Sequence, residues 1–182
     1  ILGLFCLGDK RYSKAATPLF LIGAGLQPLG LFVFMDEYLP HTGDIVKAAS
    51  FVFAFMTIQQ VVAFIATQRT SLLFFGLFFF YAFLSTLLNL LEIDAPEGPM
   101  VLGLTGLMVS WGVAQTEHKV IAPFYFFWAS ILTAAASFDF LEDTPFDVLL
   151  MGISAGLIYL SVIAVSRTVL TVGVRSLLAY LG

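Results

Sequence analysis

Long apolar segments follow one another along this chain, and short polar segments separate them. An α-helix needs roughly 20 apolar residues to cross a hydrocarbon layer of about 30 Å, and the longer segments approach or reach that length. The alternation of apolar and polar residues that marks a barrel strand is missing. We therefore predict six membrane-spanning helices, at Thr17–Phe34, Ile45–Thr67, Ser71–Leu91, Met100–Ala114, Val120–Phe138 and Val148–Ser166.

Two shorter apolar segments lie at the ends of the chain. Ile1–Gly8 is too short to cross a bilayer and has the character of the tail of an earlier helix. Val169–Gly182 is either a seventh span that lacks its end, which we favour, or an interfacial helix whose Arg175 extends toward the headgroups. We expect residues 1–182 to form a single all-α domain, a polytopic transmembrane helical bundle with six full spans plus partial helices at both ends, and to be a fragment of a longer chain.

The composition favours a membrane over a soluble core. Hydrophobic residues make up 60% of the chain and charged residues 11%, whereas soluble domains have about 45–50% and about 25%. The single cysteine, Cys6, excludes a disulfide within the chain and a cysteine metal cage.

The charged residues between the spans sort by sign, and this pattern predicts the orientation of the chain. The basic residues at one set of joints are Lys10, Arg11, Lys14, Arg69, Lys119 and Arg167. The acidic residues at the alternate joints are Asp36, Glu37, Asp44, Glu92, Asp94, Glu97, Asp139, Glu142, Asp143 and Asp147, and Lys47 is the only basic residue on that side. We expect the basic joints in the cytoplasm and the acidic joints outside, in a bacterial inner (plasma) membrane.

A few polar side chains inside the predicted spans are candidates for a polar pathway. Gln27 precedes Pro28, which predicts a kink in span one; the helix is then either discontinuous, as in transporter sites, or simply packed by its neighbours. Gln59 and Gln60 are adjacent and face different directions, and an amide in lipid is costly. Asn89 lies near the outer end of span three.

Small residues predict where helices approach one another closely. Gly152 and Gly156 form a GxxxG motif in span six, and Gly103 and Gly106 are spaced for the same purpose in span four. Packing within the chain is favoured over dimerisation.

The sequence offers no catalytic constellation and no ligand set for a metal or haem. The predicted spans contain no histidine and no cysteine, and His41 and His118 fall on opposite sides of the predicted membrane. The HExxH, Gly-x-Ser-x-Gly and phosphate-loop motifs are missing. We expect no catalytic residue, metal or other cofactor, and no nucleic-acid partner; an enzyme is the least favoured class.

One stretch, Phe138–Gly182, resembles uncharacterised bacterial polytopic membrane proteins of the domain-of-unknown-function class, with repeated short-looped transmembrane hairpins. The resemblance rests on Arg167–Leu170, at a basic corner, and on the leucine-containing Leu177–Gly182. The corner has one arginine where the family pattern would have two. The resemblance implies a topology and no activity.

Two functional classes remain. The first, which we favour, is a non-catalytic subunit or scaffold that packs within the lipid bilayer, with other membrane subunits as its partners. The second is a channel or facilitator for a small neutral or weakly polar solute that passes Gln27, Gln59 and Gln60. A continuous polar cavity beside these amides would favour the facilitator, and a dry bundle would favour the subunit.

Overall fold

The computed structural model describes residues 13–38, 45–93, 97–141, 148–163 and 167–181, and all regular structure in these ranges is helical. The all-α prediction is confirmed. Contacts divide the chain into two compact units, Ile1–Leu90 and Leu91–Gly182. Each unit is described separately, and the single domain of 182 residues stays a prediction.

The described residues of the first unit form three helices: α1 (Ser13–Tyr38), α2 (Ile45–Thr67) and α3 (Thr70–Leu90). Only two residues connect α2 to α3, so the two helices form an antiparallel hairpin. At this corner Gln68 adopts a left-handed backbone conformation, with φ of 54°, and its N–H donates to the carbonyl of Phe64 at 2.7 Å. This geometry caps the end of α2, although glycine is the usual residue there.

Aliphatic and aromatic side chains from all three helices form the core of the first unit. Ala24 of α1, Val52 and Met56 of α2, and Phe79 of α3 are buried together. The ring of Phe53 lies between two others, because its centroid is 6.0 Å from that of Phe32 and 6.4 Å from that of Phe79. Ring contacts of this kind join α2 to both of its neighbours.

The second unit contains α4 (Glu97–Ala114), a short 3-10 helix (Lys119–Ile121), α5 (Ala122–Leu141), α6 (Val148–Ile163) and α7 (Arg167–Leu181). Helix α5 is central, because it packs against α4, α6 and α7. Some of its buried residues recur at intervals of three and four positions, as one helical face requires, and most of these are small: Ala122, Phe126, Ala129, Thr133 and Ala136.

Helices α4 and α5 touch at Gly103. A Cβ atom built there would lie 2.7 Å from the backbone N of Thr133 and 2.9 Å from its Cα, closer than side-chain carbons normally come. The backbones of the two helices therefore meet directly, as small residues allow. Gly106 is buried on the same helix, three residues away.

The other predicted glycine pair has a different setting. Gly152 and Gly156 are exposed on α6, and no described atom lies within 4 Å of a Cβ built at either position. The described residues therefore provide no packing partner for this GxxxG motif. Gly173 of α7 has the close contact instead, because a Cβ built there would lie 3.0 Å from the backbone N of Ile158 on α6.

Three stretches among the described residues are long and apolar enough to cross a membrane: Ile45–Thr67, Thr70–Leu90 and Lys119–Leu141. The predicted bounds of span two coincide with those of α2. Shorter apolar helices lie at Ile22–Met35, Val148–Val162 and Val169–Tyr180. The structure thus supports membrane association but does not show six full spans. The predicted partial helix at Ile1–Gly8 lies outside the described residues.

The contact at Gly103 predicts a local steric effect. Substituting Gly103→Ala should destabilise the second unit by about 1–3 kcal/mol, because a backbone atom of Thr133 must move to admit the methyl group. Thermal unfolding in detergent, followed by circular dichroism, would measure the change.

The matched control is Gly112→Ala, also in α4, where no described atom lies within 4 Å of the added Cβ. Both substitutions replace a helical glycine by alanine, so their difference isolates the contact from helix propensity. Equal stability of the two variants would contradict the close approach of α4 and α5.

Candidate functional site

The polar centre of the first unit is a pair of glutamines on neighbouring helices. The Nε2 atom of Gln27 on α1 donates to Oε1 of Gln59 on α2 at 2.5 Å. The Nε2 atom of Gln59 donates back to Oε1 of Gln27 at 2.9 Å. The two amides therefore form a closed ring of two hydrogen bonds, and each gives the other one donor contact and one acceptor contact.

The amide pair is half-buried, and apolar residues are buried beside it on the same two helices. Ala24, one turn before Gln27, is buried, and so are Val52 and Met56 on α2. An amide in such surroundings without a partner would lose the hydrogen bonds that it makes in water. The two hydrogen bonds of the reciprocal pair avoid this loss and connect α1 to α2.

Pro28 follows Gln27 without ending the helix. Helix α1 runs as one α-helix from Ser13 to Tyr38 and contains both Pro18 and Pro28. The discontinuous helix considered from the sequence is therefore not found at Pro28. Pro28 has no backbone N–H to donate to the carbonyl of Ala24, so the helix lacks this one hydrogen bond but continues past it.

Gln60, adjacent to Gln59, faces α3. Its side chain is buried, with 5% of its surface exposed, and its Cβ lies 3.6 Å from a Cβ built at Gly76. The Oε1 atom of Gln60 accepts no hydrogen bond from any described residue. Because residues one apart on a helix point about 100° from each other, the two glutamines contact different neighbours.

Asn89 is remote from the other candidates. It is exposed and lies one residue before the end of α3. Thirteen residues separate it from Gly76, the α3 residue beside Gln60, which corresponds to about 20 Å along a helix. The structure therefore brings together Gln27 and Gln59, places Gln60 beside them on another face, and leaves Asn89 apart.

A shallow apolar groove lies between α2 and α3. Its volume is about 90 Å³, and its walls include Val61, Phe64, Leu73 and Phe80. The one hydroxyl residue that lines it is Thr57, whose Oγ1 donates to the carbonyl of Phe53 at 2.7 Å. The groove therefore offers a solute few polar contacts.

Buried hydroxyl groups form a second polar set, which the sequence pattern signalled only in part. Ser176 on α7 donates to Oγ of Ser154 on α6 at 2.8 Å, and both residues are buried. On α5, Thr133 and Ser137 each donate to the carbonyl four residues earlier. Ser176 was not among the predicted candidates; its spacing of three from Gly173 is the signal that marks it as facing α6.

Metal-binding groups do not converge among the described residues. No three histidine, cysteine, aspartate or glutamate side chains lie together there. His118 precedes the 3-10 helix and is partly exposed, and His41 lies outside the described residues. Comparisons with protein-family models, with curated proteins and with solved structures find no match for this chain.

The glutamine ring predicts energetic coupling between α1 and α2. Gln27→Leu and Gln59→Leu should each lower the free energy of unfolding by about 1 kcal/mol, because interhelical hydrogen bonds in membranes average about 0.6 kcal/mol and two are lost. The double variant should lose less than the sum of the two, since each single change already removes both bonds.

The coupling would be measured from the free energies of unfolding, in mixed micelles, of the unmodified protein, the two single variants and the double variant. Asn89→Leu is the control, because Asn89 is exposed and distant from the pair. Strictly additive losses would contradict a direct bond between the two amides.

Proposed function

We propose that this chain is an integral membrane protein and acts as a non-catalytic subunit or scaffold that packs within the bilayer. The observation that carries the proposal is the reciprocal hydrogen bonding of Gln27 and Gln59. Two of the three amides that a polar pathway would use, Gln27 and Gln59, are bonded to each other. The adjacent α2–α3 groove is apolar and holds only a few water molecules by volume.

The exposed surface of α2 supports the bilayer location. Large apolar side chains recur there at intervals of four and three residues, which places them along one side of the helix. They are Phe51, Phe55, Ile58, Val62 and Ile65. A soluble monomer rarely exposes a continuous apolar strip of this kind, whereas lipid or another membrane subunit would cover it favourably.

The proposed topology has six full spans, with α1, α4 and α6 crossing in addition to the three longer apolar stretches. Helix α4 has 18 residues, about 27 Å of helix, which is close to the thickness of a hydrocarbon core. The distribution of lysine and arginine supports cytoplasmic basic joints and external acidic joints, as in a bacterial inner membrane.

A second candidate is a channel or facilitator for a small neutral or weakly polar solute. Gln60 favours it, because its buried Oε1 atom has no hydrogen-bond donor among the described residues. A solute hydroxyl or amide could donate to this atom. The pair formed by Gln27 and Gln59 would then position α1 rather than contact the solute.

The topology proposal predicts a pattern of thiol labelling. Single cysteines at Asp36, Glu92 and Glu142, introduced after Cys6→Ser, should react with a membrane-impermeant thiol reagent added to intact cells. Cysteines at Arg69, Lys119 and Arg167 should react only after the membrane is opened. Labelling at Arg69 in sealed cells would contradict the proposed orientation.

The two functional candidates predict different results after reconstitution. For a subunit, liposomes that contain the protein should take up glycerol no faster than protein-free liposomes, and mild solubilisation should recover the chain with a fixed partner. Stopped-flow light scattering would measure the uptake.

Glycerol uptake that is lost in Gln60→Leu, but retained in Asn89→Leu, would overturn the subunit proposal in favour of the facilitator. The control is matched because both changes replace an amide by leucine, and Asn89 is exposed at the end of α3.

A further inference from the structure

The outward face of α7 combines apolar residues with two cations. Arg167, Thr171 and Arg175 are spaced by four residues and are all exposed. Residues at this spacing lie near one another along a helix surface. The exposed apolar residues Leu170, Val174 and Leu178 surround them.

The opposite face of α7 is fixed against α6. Val169 is fully buried, Gly173 lies against Ile158, and Ser176 donates to Ser154. Gly173 lies against Ile158, whereas Ser176, which is later on α7, contacts Ser154, which is earlier on α6. The two helices are therefore antiparallel. Helix α7 therefore returns along α6 through the same depth.

This register places Arg175 well inside the layer that α6 crosses in the proposed topology. Eight residues separate Arg175 from Arg167, which is about 12 Å along the helix axis. Side chains on a helix lean toward its N-terminus, so the Arg175 guanidinium is directed toward the Arg167 end. Neither arginine has an ion pair or a side-chain hydrogen bond with a residue that the structure describes.

A cation on a lipid-facing surface is costly unless it meets an anion or reaches the interface. A guanidinium group binds phosphate oxygens through two parallel N–H donors, which suits it to a phosphodiester. The phosphate layer of the bilayer lies toward the Arg167 end of α7, and this is the direction in which Arg175 extends.

We propose that Arg175 binds the phosphate of an anionic phospholipid in the leaflet on the basic side of the protein, and that Arg167, about two helical turns nearer the headgroups, attracts the same headgroup. The acyl chains would lie along Leu170, Val174 and Leu178. An anionic headgroup is preferred over a zwitterionic one, because two cations face it and the exposed α7 face has no acidic residue among those described. The inference rests on the proposed membrane location of α6.

Native mass spectrometry of the purified full chain would test the site, with phosphatidylglycerol and phosphatidylcholine as the competing probes. The unmodified protein should retain phosphatidylglycerol in preference to phosphatidylcholine. Arg175→Gln should weaken this retention about fivefold, and Arg167→Gln combined with it should weaken it further by a similar factor. Arg175→Lys should fall between, because lysine keeps the charge and loses the paired donors.

Lys119→Gln is the matched control, since Lys119 is an exposed cation of the same unit that does not belong to α7. It should leave lipid retention unchanged. Circular dichroism would confirm that the variants are folded, and Arg175→Lys, which preserves the charge, keeps the test valid if Arg175→Gln is unstable.

Equal retention of both lipids, or equal phosphatidylglycerol retention in the double arginine variant, would overturn the inference. So would displacement of the lipid by millimolar inorganic phosphate, or capture of an acidic protein at this face in place of lipid. Failure of the chain to fractionate with membranes would instead overturn the proposed function, so the two failures are distinguishable.

Discussion

Polar groups inside these helices are stabilised by hydrogen-bond partners within the protein, because many side chains around them are apolar; the Oε1 atom of Gln60 is an exception among the described residues. The structure provides such partners in two ways. Hydroxyl groups such as those of Ser110 and Ser137 donate to the carbonyl four residues earlier in their own helix. The longer glutamine side chains reach another helix, as Gln27 and Gln59 do. Polar residues within single helices therefore adjust packing locally, whereas the glutamine pair connects two helices.

Close packing of small residues is the second source of cohesion. Where the surroundings of a bundle are lipid, burial of apolar surface does little to drive helices together, and van der Waals contact and hydrogen bonds matter more. Gly103 lets the backbones of α4 and α5 meet, and Gly173 has the same role between α7 and α6. Beside Gly173, the bond from Ser176 to Ser154 adds a polar contact between the same two helices. The second unit thus combines both kinds of interaction along α5 and α7.

These interactions bear directly on function. An amide that lines a solute pathway must exchange its hydrogen bonds with the solute, and a closed pair exchanges them only by breaking. The closed pair of Gln27 and Gln59 therefore supports a structural role for these residues, and Gln60 is the remaining amide with an available acceptor. In the proposed bilayer location, the positive charges of α7 would favour a different kind of specificity, for an anionic lipid.

Length and hydropathy along the chain were enough to predict the helical segments, because a helix that is apolar on most sides needs no further pattern. The bounds of α2 follow directly from the apolar run between Asp44 and Gln68. Sequence also identified Gln27 and Gln59 as polar residues that need a partner, although they lie 32 residues apart and nothing local pairs them. Their bond to each other depends on how α1 packs against α2, which the sequence does not show. The tertiary structure also distinguished the glycines: Gly103 lies against Thr133, whereas Gly152 and Gly156 have no described neighbour within 4 Å. Spacing along one helix shows that a close approach is possible, but the position of a second helix decides where it occurs.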